Sequence, residues 1–152
     1  MPLPTPVIAG MFRDIELRAT NTLVMSTRIA GYYTEEIMDW RDALQGYFDE
    51  MENLGQRIED VIRRDSVTSI EAAARSRMEA MEDIGGLMER LDDLLDRQEA
   101  VLLRDGSLVD DEEVDEPVRS RQDALREGML EAEKRYADMK FDCYRFLAET
   151  LG

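Results

Sequence analysis

The chain has 152 residues, 43% of them apolar and 36% charged, with a formal net charge of −16. That apolar share is too high for a wholly disordered acidic chain, whose weak burial would not offset its conformational entropy. The charge excludes free nucleic acid and anionic membrane surfaces as direct ligands, because both require cationic neutralisation, and it favours a basic protein partner.

The first ten residues, with Pro2, Pro4 and Pro6, read as an extended N-terminal tail, since proline fixes the backbone and lacks a donor. They contain no basic stretch followed by a long apolar run, and no segment approaches the length of a bilayer span. A cytoplasmic or otherwise intracellular location without signal peptide is therefore expected. From Met11 a weak helical face appears in Ile15, Ala19, Thr22, Met25 and Ile29. Gly31 offers a stop. Thr34, followed by Glu35 and Glu36, offers a new cap with acids in the first turn. A stronger stripe follows: Ile37, Trp40, Leu44, Tyr47, Met51, Leu54, Ile58 and Val61. One continuous helix over residues 11–64 is the alternative, because Tyr33 bridges the phase from Ile29 to Ile37.

Asp65–Thr68 interrupts the pattern, and Thr68 with Glu71 matches a capping box. The next stripe is Ile70, Ala74, Met78, Met81, Ile84, Met88, Leu91, Leu95 and Leu102, which Arg77 and Gln98 interrupt or border. Gly85 and Gly86 sit in its middle, where close helix approach or a slight bend would explain them. Asp105–Gly106 marks a stop. Residues 105–116 carry seven acids and no base, so self-repulsion predicts a mobile acidic linker. No strong strand or hairpin signal is apparent. Pro117 suits a first helical turn, and the last stripe runs through Val118, Gln122, Leu125, Met129, Ala132, Tyr136, Met139, Cys143, Phe146 and Thr150.

These patterns predict an all-α protein: an antiparallel bundle of long coiled-coil-like helices, four in number, or three if the first two are continuous. It is read as a single domain over 11–152. In an up-down bundle the start of the third helix lies beside the end of the fourth. Ala72, Ala73, Ala74 and Ala80 would then accommodate Tyr136, Phe141, Tyr144 and Phe146.

Two surfaces are candidates for function. The last helix carries a second apolar stripe, Leu130, Ala137, Phe141, Tyr144 and Ala148, beside the first, so the stretch with Tyr136, Ala137, Phe141, Tyr144 and Ala148 forms either a wide core face or an interface, self-association included. The acids Asp110, Asp111, Glu112, Glu113, Asp115 and Glu116 form either a solvated segment or a negative surface for a basic protein, in the manner of a DNA mimic. No chemistry accompanies them. Histidine is absent, which removes imidazole bases and the usual metal sites. The one cysteine, Cys143, lies on the apolar stripe, and no phosphate-binding glycine motif is present. The expected function is a non-enzymatic interaction or assembly module without catalytic residues, cofactor or metal, and without contact to nucleic acid or membrane. The alternative is an acidic inhibitor of a nucleic-acid-binding protein.

Overall fold

In the computed structural model, residues 28–64 and 67–151 are described. The first expected helix, from Met11 to about Ile29, lies almost wholly outside them, as does the proline-rich tail. Three long helices account for most of the described chain: α1 (Ile29–Arg64), α2 (Thr68–Leu102) and α3 (Glu116–Leu151). The protein is all-α and its helices form a bundle, as the periodicity predicts.

The break expected at Gly31 is absent, because α1 runs through Gly31 and Thr34 without interruption. The Thr34 hydroxyl is buried and donates to the Gly31 carbonyl at 3.0 Å. It satisfies itself against its own helix instead of capping a new one. α2 likewise starts one residue early, with Val67 supplying the carbonyl that accepts from Ile70 and Glu71. Thr68 is thus the first helical residue and not the cap.

Burial follows the sequence stripes. On α3 every third and fourth residue from Val118 to Phe146 is buried: Val118, Gln122, Leu125, Met129, Ala132, Tyr136, Met139, Cys143 and Phe146. On α2 the corresponding run is Ala74, Arg77, Met81, Ile84, Met88, Leu91, Leu95, Gln98 and Leu102. Its apolar members and Gln98 are buried, and Arg77 is half-buried. Arg77 and Gln98 therefore occupy seam positions and do not interrupt the seam.

The described chain divides into two compact units where a single domain is expected, and each unit is cut from the same three helices. The first comprises the start of α1 to Met38 together with Arg97–Gln122. Its centre is polar. Gln98 is 2% exposed and Gln122 fully buried. Gln98 Nε2 donates to the Val118 carbonyl at 2.9 Å and to Gln122 Oε1 at 3.0 Å, while its Oε1 accepts from Arg121 at 3.3 Å. Gln122 Nε2 donates in turn to the Tyr33 carbonyl at 3.2 Å and Glu36 Oε1 at 3.0 Å. All three helices are joined through two side chains whose donors and acceptors are all used.

The same unit holds the segment expected as a mobile linker, and that segment carries defined structure. β1 (Leu103–Arg104) pairs antiparallel with β2 (Ser107–Leu108). Asp105 and Gly106 have φ of 53° and 80°, the left-handed pair that a two-residue hairpin turn demands. A 3₁₀ turn over Asp111–Glu113 follows, and Val109 and Val114 are buried on either side of it.

The second unit comprises Asp39–Asp96 and Asp123–Gly152. Tyr47 with Glu133, and Glu50 with Tyr136, are each 86 residues apart, so α1 and α3 run parallel here. Arg77 meets Asp142, while Gly128 meets Leu91, so α2 is antiparallel to α3. The predicted pairing of the start of α2 with the end of α3 is present: the Arg77 guanidinium lies 4.5 Å from the centre of the buried Phe146 ring. The size match holds only in part. Ala74 is buried, but Ala72, Ala80, Phe141 and Tyr144 are exposed.

The glycine pair of α2 does not mark a close approach. A Cβ on Gly85 would meet nothing within 4 Å, and one on Gly86 only the tip of Arg90. Close approach occurs instead at Gly128, where a Cβ would stand 3.0 Å from Leu91 Cδ2. Gly85→Ala is accordingly expected to raise unfolding free energy by about 1 kcal/mol through helix propensity alone, as read by urea denaturation. Gln122→Ala should lower it by roughly 1–3 kcal/mol, since it leaves one N–H of the buried Gln98 Nε2 without its acceptor. In the same assay, a loss smaller than that of an exposed α3 position such as Lys134→Ala would contradict the network's role.

Candidate functional site

The acidic segment and the outer flank of α3 are the two sequence candidates, and the structure treats them differently. In the acidic segment the carboxylates are mostly employed locally. Asp111 Oδ1 accepts from the Ile29 amide at 2.9 Å, which places a negative charge at the first turn of α1. Asp115 Oδ1 accepts from the Val118 amide at 3.2 Å and caps α3. Glu113 is ion-paired with Arg104 and accepts from the Asp110 amide. Glu116 accepts from the Ser120 hydroxyl at 3.1 Å. Arg28 holds the Leu108 carbonyl at 3.0 Å. Asp110, Asp111, Glu112, Asp115 and Glu116 remain exposed to solvent. Their number follows in part from two helix N-termini and one hairpin, each of which takes acids for its own reasons.

On α3 the structure divides the five predicted residues. Tyr136 belongs to the core, being 4% exposed. Ala137, Phe141, Tyr144 and Ala148 are exposed, and Leu130 joins them. Phe141 is 67% exposed and Leu130 64%, high values for side chains of this size. Helical spacing puts Leu130, Ala137, Phe141, Tyr144 and Ala148 on one outward flank, offset from the seam. The Arg145 guanidinium stands 5.8 Å from the Phe141 ring centre and that of Arg57 5.6 Å from the Tyr144 ring. Each aromatic thus has a cation over its ring.

A polar cluster that the sequence reading did not single out fixes α3 against α1 beneath this flank. The Tyr136 hydroxyl donates to Glu50 Oε1, and Lys140 Nζ lies 2.8 Å from Glu50 Oε2. The Tyr47 hydroxyl donates to Glu133 at 3.2 Å, and the Tyr47 and Tyr136 rings pack at a centroid distance of 4.4 Å. Burial, then the hydrogen bond to the Glu50 carboxylate, pushes the Tyr136 phenol well above its ordinary range. Burial and Glu133 raise Tyr47 in the same direction. The bonds from Lys140 and Tyr136 hold the Glu50 carboxyl below its ordinary value. The cluster is a set of hydrogen-bonded and ion-paired groups joining α1 to α3.

Nucleophilic chemistry finds no support at the cysteine. Cys143 is buried, and burial followed by the nearby Asp142 charge pushes its thiol up to about 11. A thiol held protonated at neutral pH is a poor nucleophile. Among the described residues, no three cysteine or carboxylate side chains come together as a metal site would require, and no helix is long and apolar enough to cross a membrane.

The tyrosine cluster makes stability pH-dependent in a defined direction. A phenol raised in the folded state contributes stability below its unfolded value of 10.0 and loses it as pH rises above that value. The lowered carboxyl of Glu50 works oppositely, contributing above 4.5 and failing as pH falls. Thermal unfolding from pH 3 to 11 should therefore decline at both ends, and Tyr136→Phe should flatten the alkaline decline. An alkaline arm as steep in Tyr136→Phe as in wild type would contradict the assignment.

No protein-family model, no curated protein and no solved structure matches this chain.

Proposed function

We propose that this protein is a non-enzymatic protein-interaction or assembly module whose contact face is the outer flank of α3. The observation that carries the reading is the exposure of Leu130, Ala137, Phe141, Tyr144 and Ala148 on one side of a helix whose opposite side is fully buried. Leaving Phe141 and Leu130 in water forfeits roughly 1.5–3 kcal/mol each relative to burial. Contiguous apolar surface of this kind marks contact sites on water-exposed proteins. Three-four spacing along each seam supports coiled-coil-like packing behind the face, which would hold it rigid and pre-shaped.

Charge supports the same face. From Pro117 to Gly152 the chain carries seven acids and seven bases, whereas α1 and α2 carry nine acids and four bases each. A neutral apolar flank accepts a partner without the repulsion that the rest of the surface imposes on other acidic proteins.

The test is a folded double variant, Phe141→Asp with Tyr144→Asp, with helicity checked by circular dichroism. Association, measured as self-association by sedimentation and as partner capture at low and high salt, should fall at least tenfold. Because the contact is apolar, raising salt from 0.1 to 1 M should leave wild-type binding intact. A helical double variant that keeps every wild-type association removes this face from consideration.

A further inference from the structure

The exposed flank of α3 has a residue order that fits one particular occupant. We propose that a second copy of this chain docks there, its α3 lying antiparallel to the first about a two-fold axis level with Met139. This rests on the reading of the flank as a contact face and names its partner.

Size complementarity supplies the first argument. A two-fold contact is isologous, so each residue meets a residue of the same list. With the axis level with Met139, Leu130 of one copy comes level with Ala148 of its partner, and Phe141 comes level with Ala137. Leu130 and Phe141, the two most exposed large side chains of the flank, then each meet a small one, and each such pair occurs twice. Dense packing favours large against small at facing positions. In a parallel pairing each residue meets its own copy, so Phe141 would oppose Phe141 and Ala137 would oppose Ala137, which leaves a clash beside a gap.

Charge supplies the second argument. A chain of net charge −16 repels its own copy over most of its surface. The segment from Pro117 to Gly152 is balanced, so the α3 flank is a place where two copies meet without that cost. In the antiparallel arrangement Arg145 comes within one helical turn of Glu131 across the axis. Within one copy Arg145 is paired with Asp142 and Glu131 with Arg135, both on the exposed surface, where such pairs exchange at little cost.

The extent of the contact sets its strength. From Leu130 to Ala148 the helix rises about 27 Å. One helix face of that length buries less than the roughly 1,600 Å² of a standard stable complex. The dimer is therefore weak, with a dissociation constant on the order of 10–100 µM, and is populated at high local concentration.

The experiment uses the full chain and two single variants, Leu130→Cys and Ala148→Cys, each confirmed helical. Buried Cys143 serves as an internal control, because wild type should give no covalent dimer. Under mild oxidation at 200 µM, an equimolar mixture of the two variants should form a covalent dimer at least tenfold more than either variant alone. Each variant alone places its cysteines about 27 Å apart in the proposed dimer, beyond disulfide reach. Covalent dimer from either variant alone indicates parallel pairing and overturns the proposal. Sedimentation showing dimer without mixed cross-linking overturns the register. Wild type that stays monomeric up to 1 mM overturns self-docking. In that last case, partner capture abolished by Phe141→Asp with Tyr144→Asp would still uphold the contact face, whereas capture unaffected by that variant would end both readings.

Discussion

The two buried glutamines, Gln98 and Gln122, are the constraint on which the register of the first unit depends. An apolar seam repeating every three and four residues is nearly invariant to sliding one helix by seven, so greasy contacts alone leave alternative registers close in energy. A buried amide is not invariant. If α2 slides by a heptad against α3, Gln98 Nε2 loses both the Val118 carbonyl and Gln122 Oε1, and each stranded polar group costs about 1–3 kcal/mol. A slide of α3 against α1 would likewise cost the buried Gln122 Nε2 its two acceptors, the Tyr33 carbonyl and Glu36. Apolar burial supplies the driving force for association of the helices, and the glutamine layer selects one alignment.

The acidic segment depends on a similar division of labour. Seven acids in twelve residues would repel one another in an extended chain. Here the repulsion is offset at specific points. Asp111 and Asp115 face the positive ends of α1 and α3, Glu113 faces Arg104, and Val109 and Val114 bury themselves beside the turn. Helix N-termini are partial positive charges fixed in space, so acids clustered near two of them are less crowded electrostatically than their sequence suggests.

Legibility in the sequence followed the range of the interactions. The three long helices and nearly all seam positions of α3 were readable, because burial of one helix face imposes a period that survives in residue order. What was misread depends on chemistry that hydropathy does not record. By hydropathy Gln98 and Arg77 interrupt or border the stripe, yet each sits at a seam position where a side chain on another helix answers it. The Asp105–Gly106 pair was read as a helix stop alone, yet the same dipeptide is the strongest short signal for a two-residue hairpin. Its signal was overridden by the charge of the residues after it. Gly31 and Thr34 fit a break by local rules, and the continuous burial of Ala30, Thr34 and Ile37 on one face prevailed. On the candidate face, sequence groups Tyr136 of the first stripe with Phe141 and Tyr144 of the second, since the two stripes adjoin. Only the seam's phase separates the buried one from the exposed pair.

That phase also explains why α3 carries both a buried seam and an exposed apolar flank. A seam that advances by alternating threes and fours uses just over a quarter of the helix circumference at each level, leaving the remaining positions free of core demands. On α1 and α2, which carry nine acids and four bases each, those free positions hold most of the acids beside the exposed Tyr32, Met38, Leu94 and Val101. On α3 they hold a balanced set of charges with Leu130, Phe141 and Tyr144 among them. An apolar flank flanked by acids of one sign would pair only with basic surfaces and would weaken in salt. One flanked by both signs is indifferent to the sign of its partner and is selected by shape instead. The described helices therefore differ in charge, with α1 and α2 strongly acidic and α3 close to neutral.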